Sequence, residues 1–198
     1  MKILVDPGHG GSDPGAINRR FGFAEKDFAL DLGKKIVEAL VEAAPGAEVR
    51  MTREEDRFLS LGERVEISKD FASDVFLSVH HNARPEGSVA WPGFEFESFY
   101  RRGLALGSAF RLGAALNRAV LAAVEAHGMR ARDRGVKEAG FAVLRASGDA
   151  ILAEYGFITD DEEALFLLQD EHRSLLAVAT AEAVVGYSEW NSIGRDET

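Results

Sequence analysis

The sequence predicts a single α/β domain: a mostly parallel, twisted sheet of about six strands with helices on both faces. The chain has 198 residues, 46% of them hydrophobic, which suits one domain. Short apolar segments alternate with longer segments of helical periodicity, as expected for a parallel sheet. We see no linker, internal repeat or low-complexity stretch, so we expect one domain over residues 1–187 and a polar C-terminal tail over 188–198.

The first half of the chain is predicted to hold three strands and two helices. The strands are short apolar segments at residues 2–6, 47–51 and 75–80. The helices are predicted over residues 25–44 and 61–72. In the first helix, apolar residues recur one turn apart: Phe28, Leu32, Ile36 and Leu40. The second helix opens on Ser60 and Glu63, whose spacing fits a capping box.

The second half continues the alternation of strands and helices. Three more strands are predicted, at residues 93–100, 141–145 and 150–155. A long helix rich in alanine and leucine is predicted over residues 104–127. Thr159 and Glu162 fit a second capping box, which predicts a final helical region lasting to about Tyr187. Active sites in such sheets lie at the carboxyl ends of the strands, so that edge is where we expect chemistry.

Composition excludes several classes of function. The chain has no cysteine, so it has neither disulfides nor a thiolate nucleophile or metal ligand. The formal net charge of −10 argues against nucleic acid as a partner and gives no attraction to an anionic membrane. No apolar run is long enough for a membrane span. The first residues enter a short strand without the features of a signal peptide, so we expect synthesis in the cytoplasm.

Histidines at two strand ends are candidate metal ligands. His9 follows the first strand in a glycine-rich loop that leaves its imidazole accessible. A plain loop histidine is an equally good interpretation of His9 alone. His80 closes the third strand, and its neighbour His81 points to the opposite side of a regular strand. Only one of these two should therefore reach the same metal as His9, and spacing alone does not say which.

Two carboxylates complete the set of candidates. Glu25 begins the first long helix, where the helix dipole alone favours an acidic residue. Two histidines and one carboxylate are nevertheless a common catalytic zinc set. Glu154 lies near the end of an otherwise apolar strand, where burying a carboxylate is costly without a purpose. A carboxylate beside a metal-activated water is suited to act as general base and then as general acid.

Taken together, these motifs resemble the zinc-dependent N-acetylmuramoyl-L-alanine amidases of bacteria and phages, which have a phosphorylase/hydrolase-like α/β fold. The matching stretches occur in the family's order and span residues 2–187. They are Ile3-Leu4-Val5-Asp6-Pro7-Gly8-His9-Gly10-Gly11, Asp13-Pro14-Gly15-Ala16, Glu25-Lys26, Thr52-Arg53, Asp56, Phe58, Leu61, Arg64, Ser78-Val79-His80, Asn82-Ala83, Arg134-Gly135, Lys137, Phe141, Val143-Leu144, Glu154, Gly156-Phe157 and Glu162.

The resemblance implies a catalytic amidase domain over residues 1–187 that cleaves the bond between N-acetylmuramic acid and L-alanine in peptidoglycan. It implies one zinc ion per chain, held by His9, Glu25 and His80, and it assigns Glu154 as the catalytic carboxylate. His81 departs from the small residue that many members have there, and we interpret it as a supporting or substrate-facing group. Three further residues are interpreted as supporting or substrate contacts: Asn82, Arg134 and Lys137.

Two alternatives remain open at this point. One is a zinc carboxypeptidase or deacetylase that acts on wall fragments with the same three ligands. The other is a non-catalytic wall-binding module, against which the retained Glu154 argues. Three settings fit the chain, namely a phage lysin, a mother-cell lytic enzyme and an excised domain. We expect no obligate protein activator, because only Arg101-Arg102-Gly103 separates the fourth strand from the predicted helix at Leu104.

Overall fold

A computed structural model describes the backbone of residues 1–103 and 107–193, and the side chains as far as Ser188. Its strands are β1 (Lys2–Pro7), β2 (Ile17–Asn18), β3 (Phe23–Ala24), β4 (Glu48–Met51), β5 (Val75–Asn82), β6 (Phe94–Arg101), β7 (Ala131–Ala139) and β8 (Asp149–Phe157). Its helices are α1 (Glu25–Ala43), α2 (Leu61–Phe71), α3 (Ser108–Ala126), α4 (Asp161–Leu168) and α5 (Asp170–Ile193).

Six of these strands form one sheet in the order β4-β1-β5-β8-β6-β7. The first four are parallel, and β6 runs antiparallel to β8 while β7 runs parallel to β6. This arrangement confirms the predicted α/β class and the mostly parallel sheet. The short strands β2 and β3 form a separate antiparallel hairpin that the sequence analysis missed.

Apolar side chains alternate between the two faces of the sheet and build a core on each. On one face, Ile3 and Leu77 pack with α1, α3 and α5 in the larger cluster. On the other face, Leu4 and Leu152 pack with α2 and a 3₁₀ turn over Ala142–Arg145 in a smaller cluster. The second core is smaller because less of this face is covered, and an open cleft lies on the uncovered part.

Three predicted helix termini can be compared with the structure. The capping box of α2 is confirmed, because Ser60 and Glu63 exchange both hydrogen bonds. The second capping box is wrong, since the N-cap of α4 is Asp160, whose carboxylate accepts from the backbone amides of Glu162 and Glu163. The final helical region is two helices, and α5 continues past Tyr187 to Ile193. The predicted tail is therefore partly helical, and residues 194–198 lie outside the described residues.

Two predicted elements in the second half also differ. The predicted strand at residues 141–145 is the 3₁₀ turn, because Val143 and Leu144 fill the smaller core instead of pairing with a strand. The predicted helix start at Leu104 lies outside the described residues. Since Gly107 is the N-cap of α3, that helix begins at Ser108. The edge strand β7 was missed because its residues are mostly charged and half-exposed.

The topology brings the carboxyl ends of β1, β5 and β8 side by side. Gly8 donates to the carbonyl of Val79 on β5, which continues the pairing of β1 just past its end. On β8, Glu154 lies directly opposite His80 in the parallel register. Among the described residues, no helix has the length and apolar character needed to cross a membrane.

Candidate metal centre and catalytic cleft

Two buried arginines hold the loop that carries His9. Arg53 donates to the carbonyls of Pro7 and Gly8 over 3.0 and 2.7 Å. Arg64 donates to the carbonyls of Pro7 and His9 over 2.6 and 2.5 Å. The backbone of His9 has φ of 57°, a left-handed conformation that non-glycine residues rarely adopt. These arginine contacts hold it there.

Asp6 anchors this arrangement from inside the sheet. Its carboxylate is fully buried and pairs with Arg64 at 2.7 Å. Thr52 and Ser78 also donate to it, over 2.6 and 2.8 Å. A buried carboxylate with three such donors is compensated, so the pair holds both charges without leaving one exposed to an apolar core.

Glu25 lies between the two histidines. Its Oε1 is 3.1 Å from Nε2 of His9 and 2.9 Å from Nδ1 of His80. Two backbone amides fix the carboxylate, since His81 donates to Oε1 over 3.1 Å and Ala16 donates to Oε2 over 2.9 Å. Burial raises the pKa of Glu25, but the hydrogen bonds with His80 and His9 outweigh it and hold the pKa far below its usual range.

Asp13 fixes the orientation of the His9 ring. Its Oδ2 accepts from Nδ1 of His9 over 2.9 Å, which leaves Nε2 facing Glu25. Burial lowers the pKa of His9, but the hydrogen bonds with Glu25 and Asp13 raise it to about 9. A carboxylate on the outer nitrogen of a metal-binding histidine is the usual way to set its tautomer and direction.

The three side chains fit a metal ion. One ligand atom from each of His9, Glu25 and His80 lies within 4.8 Å of the others. Two nitrogens and one carboxylate oxygen are donors that zinc accepts. The glycines around them leave the space that the ligands need. A Cβ on Gly8 would lie 2.2 Å from Cε1 of His80, and one on Gly15 would lie 2.6 Å from Oε2 of Glu25.

Glu154 lies on the same sheet face as His80. One carboxylate oxygen, Oε2, is buried and has no hydrogen-bond partner among the described residues. Burial raises the pKa of Glu154 to about 7, against the opposing effect of the nearby His80 charge. A carboxylate with a pKa near neutrality is suited to exchange protons with a substrate.

The His81 side chain points away from this cluster, so of the two neighbouring histidines it is His80 that faces Glu25. Its ring is buried on the opposite face, where Nδ1 donates to the carbonyl of Tyr155 over 2.7 Å. The ring also contacts Phe28 edge to face at 6.1 Å. Burial lowers the pKa of His81 to about 4, so the ring is neutral at physiological pH. Its backbone amide, not its side chain, contacts the site through Glu25.

The remaining predicted site residues meet at Glu97 on β6. Asn82 donates to Glu97 over 2.5 Å, and Lys137 forms an ion pair with the same carboxylate. Arg134 is 3.2 Å from Glu97 as well. Glu97 is buried and lies directly opposite Glu154 in the antiparallel register. Sequence reasoning missed Glu97, because a charged residue in an alternating strand is usually assigned to the solvent face.

The three candidate metal ligands, Glu154 and Asn82 line one cleft of about 780 Å³, whereas Glu97, Arg134 and Lys137 lie outside its lining. His9, Glu25, His80 and Glu154 form its polar end. Apolar residues form another part of the lining, including Phe58, Leu61, Phe141 and Val143. A concave, largely apolar cleft with a few convergent polar groups is the usual form of a small-molecule or peptide site.

Comparison with known proteins gives consistent matches. A sequence model of the N-acetylmuramoyl-L-alanine amidase family matches residues 3–185. The N-acetylmuramoyl-L-alanine amidase LytC of Bacillus subtilis is 34% identical over 190 residues, covering 93% of this chain and 35% of LytC. The chain therefore spans little more than a third of that relative.

Two solved structures have the same fold along almost their whole length. An N-acetylmuramoyl-L-alanine amidase from Clostridium difficile 630 has a TM-score of 0.86 and 31% identity, covering 95% of this chain and 96% of that one. The CwlD amidase from Clostridioides difficile, solved in complex with the GerS lipoprotein, has a TM-score of 0.82 and 25% identity. That match covers 95% of this chain and 98% of that one.

Replacing Asp13 with asparagine should weaken metal binding while the fold is kept. The variant Asp13→Asn loses the charged acceptor that orients His9, so zinc affinity should fall about 10–100-fold. Competition with a chromophoric chelator measures this affinity. The matched control is Asp27→Asn, an exposed carboxylate on α1, which should bind zinc as the parent protein does. Equal affinity in Asp13→Asn and the control would remove Asp13 from the metal site.

Proposed function

This chain belongs to the N-acetylmuramoyl-L-alanine amidase family, and we propose that it hydrolyses the amide bond between N-acetylmuramic acid and L-alanine in peptidoglycan. The observation that carries the proposal is the grouping of His9, Glu25 and His80, with Glu154 opposite His80, in one open cleft. This set joins a metal-type donor group to a carboxylate of near-neutral pKa, which is what a metallohydrolase needs. Relatives such as LytC are much longer than this chain, so we assign their amidase activity to this chain as a proposal.

We propose that His9, Glu25 and His80 hold one zinc ion per chain. The donor set, the ring direction set by Asp13 and the space left by Gly15 support this assignment. When bound, zinc supplies Lewis-acid chemistry that polarises a carbonyl and makes water more acidic. Hydrogen bonds from the backbone amides of Ala16 and His81 hold the Glu25 carboxylate in place before a metal binds, so metal binding needs little reorganisation.

Glu154 is proposed as the general base and then the general acid. As the base it accepts a proton from the water that attacks the lactyl carbonyl of the muramic acid. As the acid it donates that proton to the nitrogen of L-alanine, and the carbon–nitrogen bond breaks to leave a carboxylate and a free amine. Its unpaired Oε2 and raised pKa support both roles.

The other predicted residues are proposed to support this chemistry. His81 contributes its backbone amide to Glu25, and its neutral ring fills the core behind the site. Asn82 lines the cleft and holds Glu97 next to Glu154. Arg134 and Lys137 form ion pairs with Glu97 and lie on the substrate side of the sheet.

We also propose that the enzyme is active without a protein activator. The connection from β6 to α3 covers residues 102–107, of which 104–106 lie outside the described residues. None of its described residues lines the catalytic cleft. This connection is longer than the sequence analysis predicted, but it is still too short for a helix of several turns. The complex with the GerS lipoprotein was solved for the relative CwlD and is not transferred to this chain. The substrate places the action of this chain on the cell wall.

Digestion of purified sacculi tests the proposed reaction. The purified, zinc-loaded protein should release intact stem peptides with a free L-alanine amino group and leave intact glycan, and a chelator should abolish this release. Glu154→Gln should bind zinc but turn over about 10²–10⁴-fold more slowly, because it has lost the proton-transfer group. Glu38→Gln, an exposed change on α1, is the control and should be unaffected.

Three results of this digest would contradict the proposal. Cleavage within the stem peptide would indicate a carboxypeptidase, and release of acetate would indicate a deacetylase. A requirement for added cell extract would contradict the activator-free proposal.

Replacing each of the two neighbouring histidines with alanine tests the ligand assignment. His80→Ala should lose zinc and activity together, because it removes one of three donors. His81→Ala should keep most of its zinc, since its side chain faces the other side of the sheet and donates to Tyr155. Metal content by mass spectrometry, with unfolding temperature as the check on folding, separates the two. Zinc lost from His81→Ala but retained in a folded His80→Ala would overturn the assignment.

A further inference from the structure

Strand β7 carries a row of three cationic side chains on the cleft side of the sheet, which we call the β7 row: Arg132, Arg134 and Lys137. Their shared contacts show that they lie on one face. Arg132 and Arg134 are 3.5 and 3.2 Å from the Glu95 carboxylate, while Arg134 and Lys137 both pair with Glu97. Lys137 would fall on the opposite face in a regular strand, because it is an odd number of residues from Arg134.

A bulge brings Lys137 to the same face. The pairing of β6 with β7 shifts register between Phe96 and Ser98, so that Phe96 lies opposite Asp133 and Ser98 opposite Val136. Gly135 lies in this bulge with φ of 89°, a conformation that suits glycine. The result is three cations in succession on one side of an edge strand.

The β7 row turns its charges toward solvent. The side chains of Arg132, Lys137 and Arg134 are 51%, 40% and 29% exposed, whereas those of Glu95 and Glu97 are 1% and 4% exposed. Ion pairs with the buried glutamates fix the direction of the cationic side chains, and the cations compensate the buried negative charges in return. The accessible part of this surface is therefore cationic, on a chain whose net charge is −10.

β7 is two strands away from β8, which carries Glu154, but the charged groups of the β7 row reach back over β6, the strand next to β8. Glu97, which binds Lys137 and Arg134, lies opposite Glu154 on the neighbouring strand. Adjacent strands are about 4.8 Å apart, so a substrate bound at Glu154 extends over the row within one or two residues. The elements that cover this sheet face contact β7 at its carboxyl end, where Ala139 belongs to the smaller core together with Val143. α3 packs on the opposite face, where Gly113 approaches Val136.

We propose that the β7 row binds the stem peptide of the substrate through the free carboxylate on the residue that follows L-alanine. This inference rests on the proposed amidase function. The scissile nitrogen belongs to L-alanine, so the next residue of the stem is the first one that reaches beyond Glu154. Guanidinium and ammonium groups form charge-assisted hydrogen bonds with carboxylates, and these are stronger than bonds to a neutral amide. The row thus makes the enzyme selective for stems whose second residue is a free acid.

Two synthetic muropeptides that differ in one group test this selectivity. The second stem residue is D-isoglutamate in one and its carboxamide, D-isoglutamine, in the other. The parent enzyme should prefer the acid by about tenfold or more in kcat/KM, which is the scale of one hydrogen bond to a charged group. In Lys137→Gln and Arg134→Gln the ratio of kcat/KM for the acid to kcat/KM for the amide should fall toward one, mainly because KM for the acid rises.

Two further variants guard against misfolding and general charge effects. Arg132→Gln is a milder change, because Arg132 is half-exposed and Glu95 keeps its contacts with Arg84 and Arg134. It should lower the acid preference in the same direction. Arg50→Gln, which removes an exposed cation of β4 that pairs with Glu48, should leave the preference unchanged.

Binding of the cleaved stem separates this inference from the amidase proposal. Nuclear magnetic resonance titration with the dipeptide L-alanyl-D-isoglutamate should shift the amide signals of residues 132–137, and the carboxamide dipeptide should shift them less. An enzyme that cleaves both muropeptides equally, or a preference that survives in all three β7 variants, would overturn the carboxylate site alone. Failure to cleave either muropeptide would overturn the amidase function, and the titration would then decide the carboxylate site by itself.

Discussion

The buried pair of Asp6 and Arg64 is the constraint on which the site depends. Asp6 lies near the carboxyl end of β1 inside the sheet, and Arg64 reaches it from α2 while also donating to the carbonyls of Pro7 and His9. The Arg64 guanidinium thus connects the end of β1, helix α2 and the loop that carries His9, which is one of the proposed metal ligands. Removing one partner of such a pair leaves an uncompensated buried charge, at a cost of about 3–5 kcal/mol. The position of α2 and the direction of His9 are therefore linked.

This link accounts for the preorganisation of the cleft. Arg53 completes the hold on the loop, and the capped start of α2 places Arg64 at a fixed distance from the sheet. Glu25 accepts hydrogen bonds from the backbone amides of Ala16, in the loop before β2, and of His81 on β5, so the direction of its carboxylate does not depend on a metal. A single buried carboxylate also orients several side chains on β6, where Glu97 binds both Asn82 and Lys137. Rigid elements, not mobile loops, carry most of these groups.

Sequence reasoning reached the fold class and the central residues for a physical reason. Parallel strands bring their carboxyl ends to one edge, so His9, His80 and Glu154 had to meet if the strands were identified correctly. The choice between His80 and His81 needed the structure, because it depends on which face of β5 each core covers. Asp13 was missed as an orienting group, since a carboxylate in a glycine-rich loop has many ordinary uses.

The errors in the second half share a cause in tertiary contacts. Strand β7 has no apolar alternation because its inward charges pair with buried glutamates, which no local pattern reveals. The apolar residues at 141–145 resemble a strand, yet they cap a core as a 3₁₀ turn. Thr159 has the spacing of a capping residue, but Asp160 offers a carboxylate one position later and becomes the N-cap.

We expect the fold to form the proposed metal centre before the metal binds. A crystal structure of the zinc-loaded protein, with anomalous data on both sides of the zinc absorption edge, tests it most directly. We expect one zinc peak between His9, Glu25 and His80, with the backbone of residues 6–11 and 78–82 moved by less than about 1 Å. A zinc peak at other side chains, or a rearranged His9 loop, would contradict it.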